Sequence, residues 1–202
     1  MLLAFDTSSA ACTAALFDGS GTCVAYADET IGRGHAERLV PMIAEMLEGR
    51  RAHHVLVGIG PGSFTGIRVG IAAAQGLAIG WDATIQGMSS LALLAASAVR
   101  QREVATAIIG GHGELFVQQF AQSGTPLSSV KSLVPEEAAE AMTAALVVGS
   151  GAEQLVEARG WGEARIEFPS AANAMRLRPA ERQLPPRPLY ARAPDAKAKV
   201  AA

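Results

Sequence analysis

The sequence predicts an α/β fold with two lobes, each built on a mixed β-sheet flanked by helices. In the first third of the chain, two hairpin-linked strands precede a helix and another strand, an order that places antiparallel and parallel pairs in one sheet. A strand hairpin followed by helices begins again at Val104. We therefore expect a first lobe with partner-binding helices over residues 1–102. A smaller, degraded second lobe with an extended tail is expected over residues 103–202.

Apolar and β-branched runs bounded by turn residues predict the strands of the first lobe, and cap residues ahead of apolar runs predict its helices. Ser89 or Ser90 is expected to cap the last of these helices. The strands are expected at residues 2–8, 12–18, 22–29, 55–60 and 83–88, and the helices at 35–48, from 64 onward and at 89–99.

The second lobe gives weaker signals than the first. The tail at 185–200 is rich in proline and charge, so we expect it to be extended and partly mobile. The elements expected before it are strands at 104–110, 115–121 and 145–150, a turn at 112–114, and helices at 136–142 and 152–158.

The composition excludes several classes of protein. Half of the 202 residues are apolar, and the formal net charge of -2 provides no broad basic field for direct RNA binding. The first residues lack a basic segment and Asp6 interrupts their apolar run, so no secretory signal is predicted and we expect a cytoplasmic protein. The apolar stretch at 64–81 contains Arg68 and four glycines, which argues against a membrane span.

The two cysteines lie on neighbouring predicted strands joined by a turn at 18–21. In the register that this turn suggests, Cys12 lies opposite Ala27 and Cys23 lies opposite Leu16. The two Cα atoms are then roughly 13 Å apart, too far for a disulfide. We expect two buried, inert thiols.

The densest glycine segment is GIGPGSFTGIRVG, from Gly58 to Gly70. A bound phosphate is one explanation, because backbone N–H groups at a helix start bind anions. The segment lacks the lysine and hydroxyl of a P-loop, and Thr65 stands where a dinucleotide fingerprint needs its third glycine. Ser63 fails the G-x-S-x-G nucleophile pattern because Pro61 and Thr65 replace its glycines, so we expect Ser63 to cap the following helix.

The histidines predict no metal site. A metal-binding helix needs two histidines on one face, but His35 is followed four residues later by Leu39. His53 and His54 are adjacent and would diverge on a strand, and His112 lies in a predicted turn.

Two helices of the first lobe carry more apolar surface than a single core contact needs. On a helical wheel, the stripe expected to face the core consists of Ala36, Val40, Ile43 and Leu47. Leu39, Met42 and Met46 widen the apolar arc to about 160°, beyond the ~100° that one core contact requires. In the second helix, glycine and alanine recur every four residues, so it can pack tightly on its own sheet or on a partner's helix. We expect a subunit interface formed by His35, Arg38, Leu39, Met42, Met46, Gly66, Gly70 and Ala74.

Three motifs in order along the chain resemble those of one family, TsaB, also called YeaZ. They are FDTSSAACTAALFD, GRGHAERLVPMI and GIGPGSFTGIRVGIAAAQGLAIG, and MSSLALLA, GELFVQQF and PLYARAPDAK fit further on. The resemblance implies a fold of the actin, sugar kinase and Hsp70 type (ASKHA), and older descriptions of the family are glycoprotease-like or peptidase M22-like. The chain has GGHGELF where the family often has an Asp-Ala-Arg-like segment, so no role is carried over to residues 110–113.

The resemblance also implies a role in tRNA modification. Members of the family are non-catalytic partners of a TsaD-type catalytic subunit in the threonylcarbamoyl modification of adenosine 37, and a TsaE-type P-loop ATPase completes the complex. The resemblance implies that this chain binds no cofactor alone, forms a homodimer without its partner and meets tRNA only through the complex, which uses ATP. A kinase-like enzyme of the same fold and a metallopeptidase-like protein are the alternatives.

Asp6, Thr7 and Ser8 end the first predicted strand, where kinases of this fold place an aspartate and hydroxyls near phosphate and magnesium. These three residues are therefore candidate nucleotide contacts. The alternative is that they hydrogen-bond the turn into the second strand. Ser9 and Ala10 follow instead of a glycine-rich loop, and their side chains would crowd phosphates, which favours the alternative.

Overall fold

Two five-stranded sheets organise residues 1–98 and 102–191, which are the residues that the computed structural model describes. The first sheet has the strand order β3-β2-β1-β4-β5. β1 pairs antiparallel with β2 and parallel with β4, so the sheet is mixed, as predicted. Its strands are β1 (Leu2–Asp6), β2 (Ala11–Phe17), β3 (Cys23–Thr30), β4 (His54–Gly58) and β5 (Thr84–Met88).

Three helices cover the two faces of the first sheet: α1 (His35–Leu47), α2 (Phe64–Trp81) and α3 (Ser90–Ala95). α1 and α2 lie side by side on one face, where they bury Leu3, Phe5 and Val57. α3 packs on the opposite face in a core shared with the second lobe. The sides of α1 and α2 that face away from the sheet therefore lie on the surface of the molecule.

The second sheet repeats the strand order of the first. Its order is β10-β9-β6-β7-β8, with antiparallel pairs β6–β7 and β7–β8 and parallel pairs β6–β9 and β9–β10. The predicted fold, in which each of two lobes is built on a mixed sheet, is thus confirmed. The elements are β6 (Val104–Ile109), β7 (Leu115–Phe120), β8 (Lys131–Leu133), α4 (Pro135–Ala141), β9 (Leu146–Val148), α5 (Ala152–Arg159) and β10 (Glu163–Arg165).

After the second sheet, the chain returns to the first lobe. A 3-10 helix at Ala171–Arg176 packs against β1, β2 and β3, and a short helix, α6 (Pro179–Arg182), follows it. The backbone of Leu184 then exchanges two hydrogen bonds with Gly87 at the edge of β5. We call residues 184–191 the C-terminal strap. These contacts return part of the segment that the sequence assigns to the second lobe, residues 103–202, to the first lobe. The predicted tail beyond 191 and the predicted end of the third helix at 99 lie outside the described residues.

The register of the β2–β3 hairpin differs from the expected one. Cys12 pairs with Glu29 and Cys23 with Phe17. The register differs because the Asp18 N–H donates to the carbonyl of Thr22, one residue beyond the expected Gly21, and because a bulge between Leu16 and Phe17 shifts the pairing by one more residue. Both thiols are free, and Cys23 is only half-buried, so the expectation of two buried thiols holds for Cys12 alone. None of the helices in the described part of the chain has the length and hydrophobicity needed to cross a bilayer.

Candidate functional site

The turn between β1 and β2 is a buried hydrogen-bond network. Asp6 is fully buried, and its Oδ1 accepts hydrogen bonds from the backbone N–H and the hydroxyl of Ser8, both at 2.7 Å. Its Oδ2 accepts a hydrogen bond from the hydroxyl of Ser90 at 2.5 Å. Ser89, not Ser90, caps α3. Both oxygens of Asp6 are therefore engaged within the chain, as the alternative of a turn-stabilising role predicted.

The glycine segment is pressed against this same turn. The Ser63 N–H donates to the carbonyl of Ser8 at 2.6 Å. A Cβ atom at Gly62 would lie 2.1 Å from that carbonyl oxygen, and one at Gly66 would lie 1.9 Å from the carbonyl oxygen of Thr7. Glycine is thus required here by the close approach of two protein backbones. Ser63 caps α2 by accepting a hydrogen bond from the Gly66 N–H, which confirms that prediction.

The core-facing side of α1 differs from the one expected. Leu39 and Met42 are buried in the core of the monomer, whereas Ala36 and Val40 are exposed. Ile43 and Leu47 are buried as predicted. The prediction was wrong for Ala36 and Val40 because the width of an apolar arc does not determine which part of it meets the sheet. Contacts with β2 and β3 set the orientation, since His35 Nε2 lies 3.3 Å from the carbonyl oxygen of Ala11 and Arg38 binds Glu29.

The residues of α2 that we expected at an interface also face inward. Gly66 and Gly70 abut Thr7, and Ala74 is fully buried. These small residues let the helix lie close to the end of β1, so they serve packing within the monomer. The prediction that Gly66, Gly70 and Ala74 contact a partner is therefore wrong, because the three residues are not at the surface.

The remaining predicted interface residues lie at the edge of α1. Arg38 is half-buried between Glu29 and Glu45, and its guanidinium donates hydrogen bonds to both carboxylates. The pKa of each carboxyl is lowered, chiefly by that hydrogen bond. His35 is buried, and Met46 is half-buried against the core beneath α1. Arg38 and Met46 are thus the predicted residues that still reach the surface.

A different set of α1 and α2 side chains is exposed. Ile79 is 85% exposed and Val40 is 52% exposed. A Cβ atom at Gly76 or Gly80 would meet nothing within 4 Å. We call this surface the helix-pair face, and it consists of Ala36, Val40, Ala44, Ala72, Gly76, Ile79 and Gly80.

The histidines do not come together in the structure. His35 contacts a backbone carbonyl, and His54 Nδ1 shares a hydrogen bond with the hydroxyl of Thr84 at 2.6 Å. Within residues 1–98 and 102–191, no three His, Cys, Asp or Glu side chains are grouped as they would be around a metal ion.

Sequence reasoning missed Ser90, Ile79 and the strap residue Tyr190. Ser90 meets Asp6 across 84 positions of sequence, and no local pattern indicates such a contact. α2 is apolar around most of its circumference, so periodicity could not identify Ile79 as an exposed position. Tyr190 stacks on Phe64 with ring centroids 5.4 Å apart, and its hydroxyl accepts a hydrogen bond from Arg68 Nε at 3.0 Å.

Comparisons with known proteins agree on one family. Residues 28–180 match the family model of TsaD, tRNA N6-adenosine threonylcarbamoyltransferase. The tRNA threonylcarbamoyladenosine biosynthesis protein TsaB of Escherichia coli K12 is 36% identical over 127 residues, 59% of this chain and 54% of that protein. TsaB of Haemophilus influenzae is 39% identical over 127 residues, 58% of this chain and 52% of that protein. The matched region thus spans about half the length of these curated relatives.

Solved structures resemble the chain over more of its length. A Pseudomonas aeruginosa protein described as similar to the peptidase YeaZ is 32% identical, with a TM-score of 0.77, covering 95% of this chain and 99% of that one. YeaZ from Pseudomonas aeruginosa is also 32% identical, with a TM-score of 0.73, covering 87% of this chain and 89% of that one.

Proposed function

Because the chain belongs to the TsaB/YeaZ family, we propose that it takes part in forming threonylcarbamoyladenosine in tRNA as a non-catalytic subunit. In this proposal the helix-pair face binds a TsaD-type catalytic paralogue. The fold is of the ASKHA type, with one mixed sheet in each lobe. The observation that carries the proposal is the exposure of apolar side chains on α1 and α2.

Covering the side chain of Ile79, which is 85% exposed, with a partner would remove its apolar surface from water, which is favourable. Val40 is also exposed and lies on the neighbouring helix, α1. Because α1 and α2 pack on the same face of the sheet, one partner could cover both side chains. Burial of these two side chains contributes about 25 cal/mol for each Å² removed from water. The helix-pair face therefore has the chemistry of an interface centre.

Small residues lie next to these two side chains along each helix, beside the exposed Glu37 and Gln75. Gly76 and Gly80 leave open space where a side chain would stand, and Ala36 and Ala72 add only methyl groups. A partner helix can approach such a surface closely, and its side chains can enter the grooves between the helical ridges. The shape of the helix-pair face thus supports contact with helices of the partner.

The TsaD family match supports the choice of a paralogue as that partner. The matched range, 28–180, includes both α1 and α2. A protein with the same fold presents an equivalent helix pair, and two such pairs can join about a pseudo-two-fold axis. The same geometry allows two copies of this chain to pair, so we propose a homodimer when the TsaD-type subunit is absent.

The non-catalytic role is supported by the positions of the side chains that first suggested chemistry. Asp6 directs both carboxylate oxygens to Ser8 and Ser90, and Ser63 caps α2. These groups stabilise the fold at the starts of α2 and α3. In the complete assembly we propose that a TsaE-type ATPase uses ATP, that this chain holds no cofactor alone, and that tRNA is bound through the other subunits.

Introducing a charge at the helix-pair face tests the proposal. Ile79→Glu and Val40→Glu place a carboxylate at two exposed positions, so the monomer should keep its fold. Burying that carboxylate in an interface should weaken binding of a TsaD-type subunit at least about tenfold. The matched control is Leu127→Glu, which is 52% exposed on the second lobe. Light scattering after size-exclusion chromatography measures the mixed complex, and circular dichroism measures the fold.

The outcomes separate the parts of the proposal. Loss of the mixed complex in both helix variants, with the control unchanged, supports the helix-pair face as the interface. Equal binding by all three variants would show that the partner binds elsewhere. If the unmodified chain does not bind the TsaD-type subunit but binds ATP in calorimetry, the kinase-like alternative replaces the scaffold role.

A further inference from the structure

A cavity of about 900 Å³ lies between the two lobes, away from the helix-pair face. The β1–β2 turn and the glycine segment form its wall on the first lobe. The hairpin between β6 and β7 forms the wall on the second lobe, and Leu189 to Ala191 of the C-terminal strap close one side. Its volume lies within the range of small-molecule sites, which is roughly 300–1,000 Å³.

Aromatic side chains from four separate parts of the chain line this cavity. They are Phe64 of α2, Phe116 of β7, Phe168 after β10 and Tyr190 of the strap. The Phe64 and Tyr190 rings are stacked with an angle of 26° between their planes. Arg68 holds this pair in place, because its guanidinium carbon lies 3.6 Å from the centroid of Phe64 and its Nε donates to the Tyr190 hydroxyl. The aromatic wall is therefore ordered before any ligand arrives.

Apart from Tyr190, the polar side chains along the cavity are four serine hydroxyls and the imidazole of His112. Ser8, Ser9, Ser63 and Ser150 contribute to the lining. Among the residues that the structure describes, none of those lining the cavity is an aspartate, glutamate, lysine or arginine. A polyphosphate would lose its hydration without gaining an ammonium or guanidinium partner from these residues. The lining therefore selects against a polyphosphate and in favour of a neutral ligand.

The glycine segment does not offer a phosphate cradle to this cavity. The Ser63 N–H is already bonded to the carbonyl of Ser8, and the Gly66 N–H is bonded to the Ser63 hydroxyl. Asp6, which would have to hold a magnesium ion, is fully buried with both oxygens engaged. Two N–H groups of the segment and the carboxylate that would hold magnesium are thus committed to the fold.

From these observations we propose that the interlobe cavity binds an uncharged, planar aromatic small molecule. Its rings would stack on the Phe64 and Tyr190 wall, where offset aromatic pairs contribute about 0.5–1.5 kcal/mol beyond burial of their area. The serine hydroxyls would supply hydrogen bonds to its edge. Since the cavity is bounded by both lobes and the strap, the ligand contacts all three.

A neutral fluorescent dye, N-phenyl-1-naphthylamine, is a suitable probe. Its emission rises on transfer from water to an apolar site, so titration of the full chain should give saturable binding of one dye per chain. Ile109→Glu adds a carboxylate to the cavity wall at a residue that is 49% exposed and should weaken binding at least about tenfold. Leu127→Glu, with 52% exposure outside the cavity, should bind as the unmodified chain does.

Two further variants keep the proposal testable. Phe64→Ala removes half of the stacked pair without adding charge, so weaker binding by this variant supports the aromatic wall even if Ile109→Glu fails to fold. Ile79→Glu tests adsorption to the helix-pair face, and loss of binding in that variant would overturn the proposal. Non-saturable dye binding, or displacement of the dye by magnesium ATP, would also overturn it.

Discussion

Gly66→Ala is the sharpest test of how α2 is seated. The added methyl carbon would lie 1.9 Å from the backbone carbonyl oxygen of Thr7, whereas ordinary contact begins at 3.4 Å. α2 or the β1–β2 turn must therefore move by roughly 1.5 Å, the difference between those two distances. Such a shift also strains the hydrogen bond from the Thr7 hydroxyl to the Gly66 carbonyl, which is 2.7 Å long.

The expected loss of stability is about 2 kcal/mol. Overpacking typically costs about 1–3 kcal/mol, and the upper end applies here because a backbone carbonyl cannot rotate away. Replacing glycine by alanine in a helix returns at most about 1 kcal/mol. For a chain of this size, each kcal/mol lowers the melting temperature by roughly 2–4 °C, so Gly66→Ala should melt about 4–8 °C lower.

Gly76→Ala is the matched control in the same helix. Nothing lies within 4 Å of a Cβ atom at Gly76, so only the helix propensity changes and the free energy of unfolding should rise by about 0.5–1 kcal/mol. Urea unfolding followed by circular dichroism measures both variants. If Gly66→Ala is as stable as the unmodified chain, α2 does not rest on the carbonyl of Thr7 and the packing argument fails. Gly76→Ala also adds a methyl group to the helix-pair face, so this variant should weaken the mixed complex with the TsaD-type subunit.

Two further substitutions and one chemical modification test other parts of the structure. Ser90→Ala removes the donor to Oδ2 of the buried Asp6 and should lower the free energy of unfolding by about 1.5–3 kcal/mol, measured as a lower urea midpoint. Burial, followed by the charge of a nearby glutamate, raises the pKa of Cys12 to about 11, so a disulfide reagent at pH 8 should modify half-buried Cys23 first and Cys12 only on unfolding. Met42→Glu buries a carboxylate at a position that is 1% exposed and should unfold the chain; a folded variant would show that Met42 is not core.

The sequence predicted the fold well where the deciding contacts are local. The β1–β2 and β2–β3 hairpins, the cap at Ser63 and the start of α1 at His35 all depend on residues within a few positions of one another. β8 and β10 consist of three mostly polar residues each, KSL and EAR, and were not predicted, whereas the equally short but apolar β9 was. The turn at Asp18, whose carboxylate accepts hydrogen bonds from the N–H groups of Ser20 and Thr22, was predicted from the sequence. The exact register of the β2–β3 hairpin was not.

The candidate site was harder to predict because long-range contacts determine which side chains are exposed. The apolar arc of α1 was recognised, but its orientation depends on the Arg38 to Glu29 contact and on His35 packing against Ala11. The small residues of α2 were recognised, but one row faces Thr7 and another faces solvent. A helical wheel contains both rows and cannot assign them to the sheet or to the surface.

The return of the C-terminal strap to the first lobe constrains how the chain can fold during synthesis. The edge of β5 gains its pairing with Leu184, and β1 to β3 gain the cover of the 3-10 helix, only after the whole second sheet has left the ribosome. Until then the nascent first lobe exposes an unpaired strand edge and an apolar face, surfaces that favour aggregation. The lobe that is synthesised first is therefore completed only after residues 171–184 have been made.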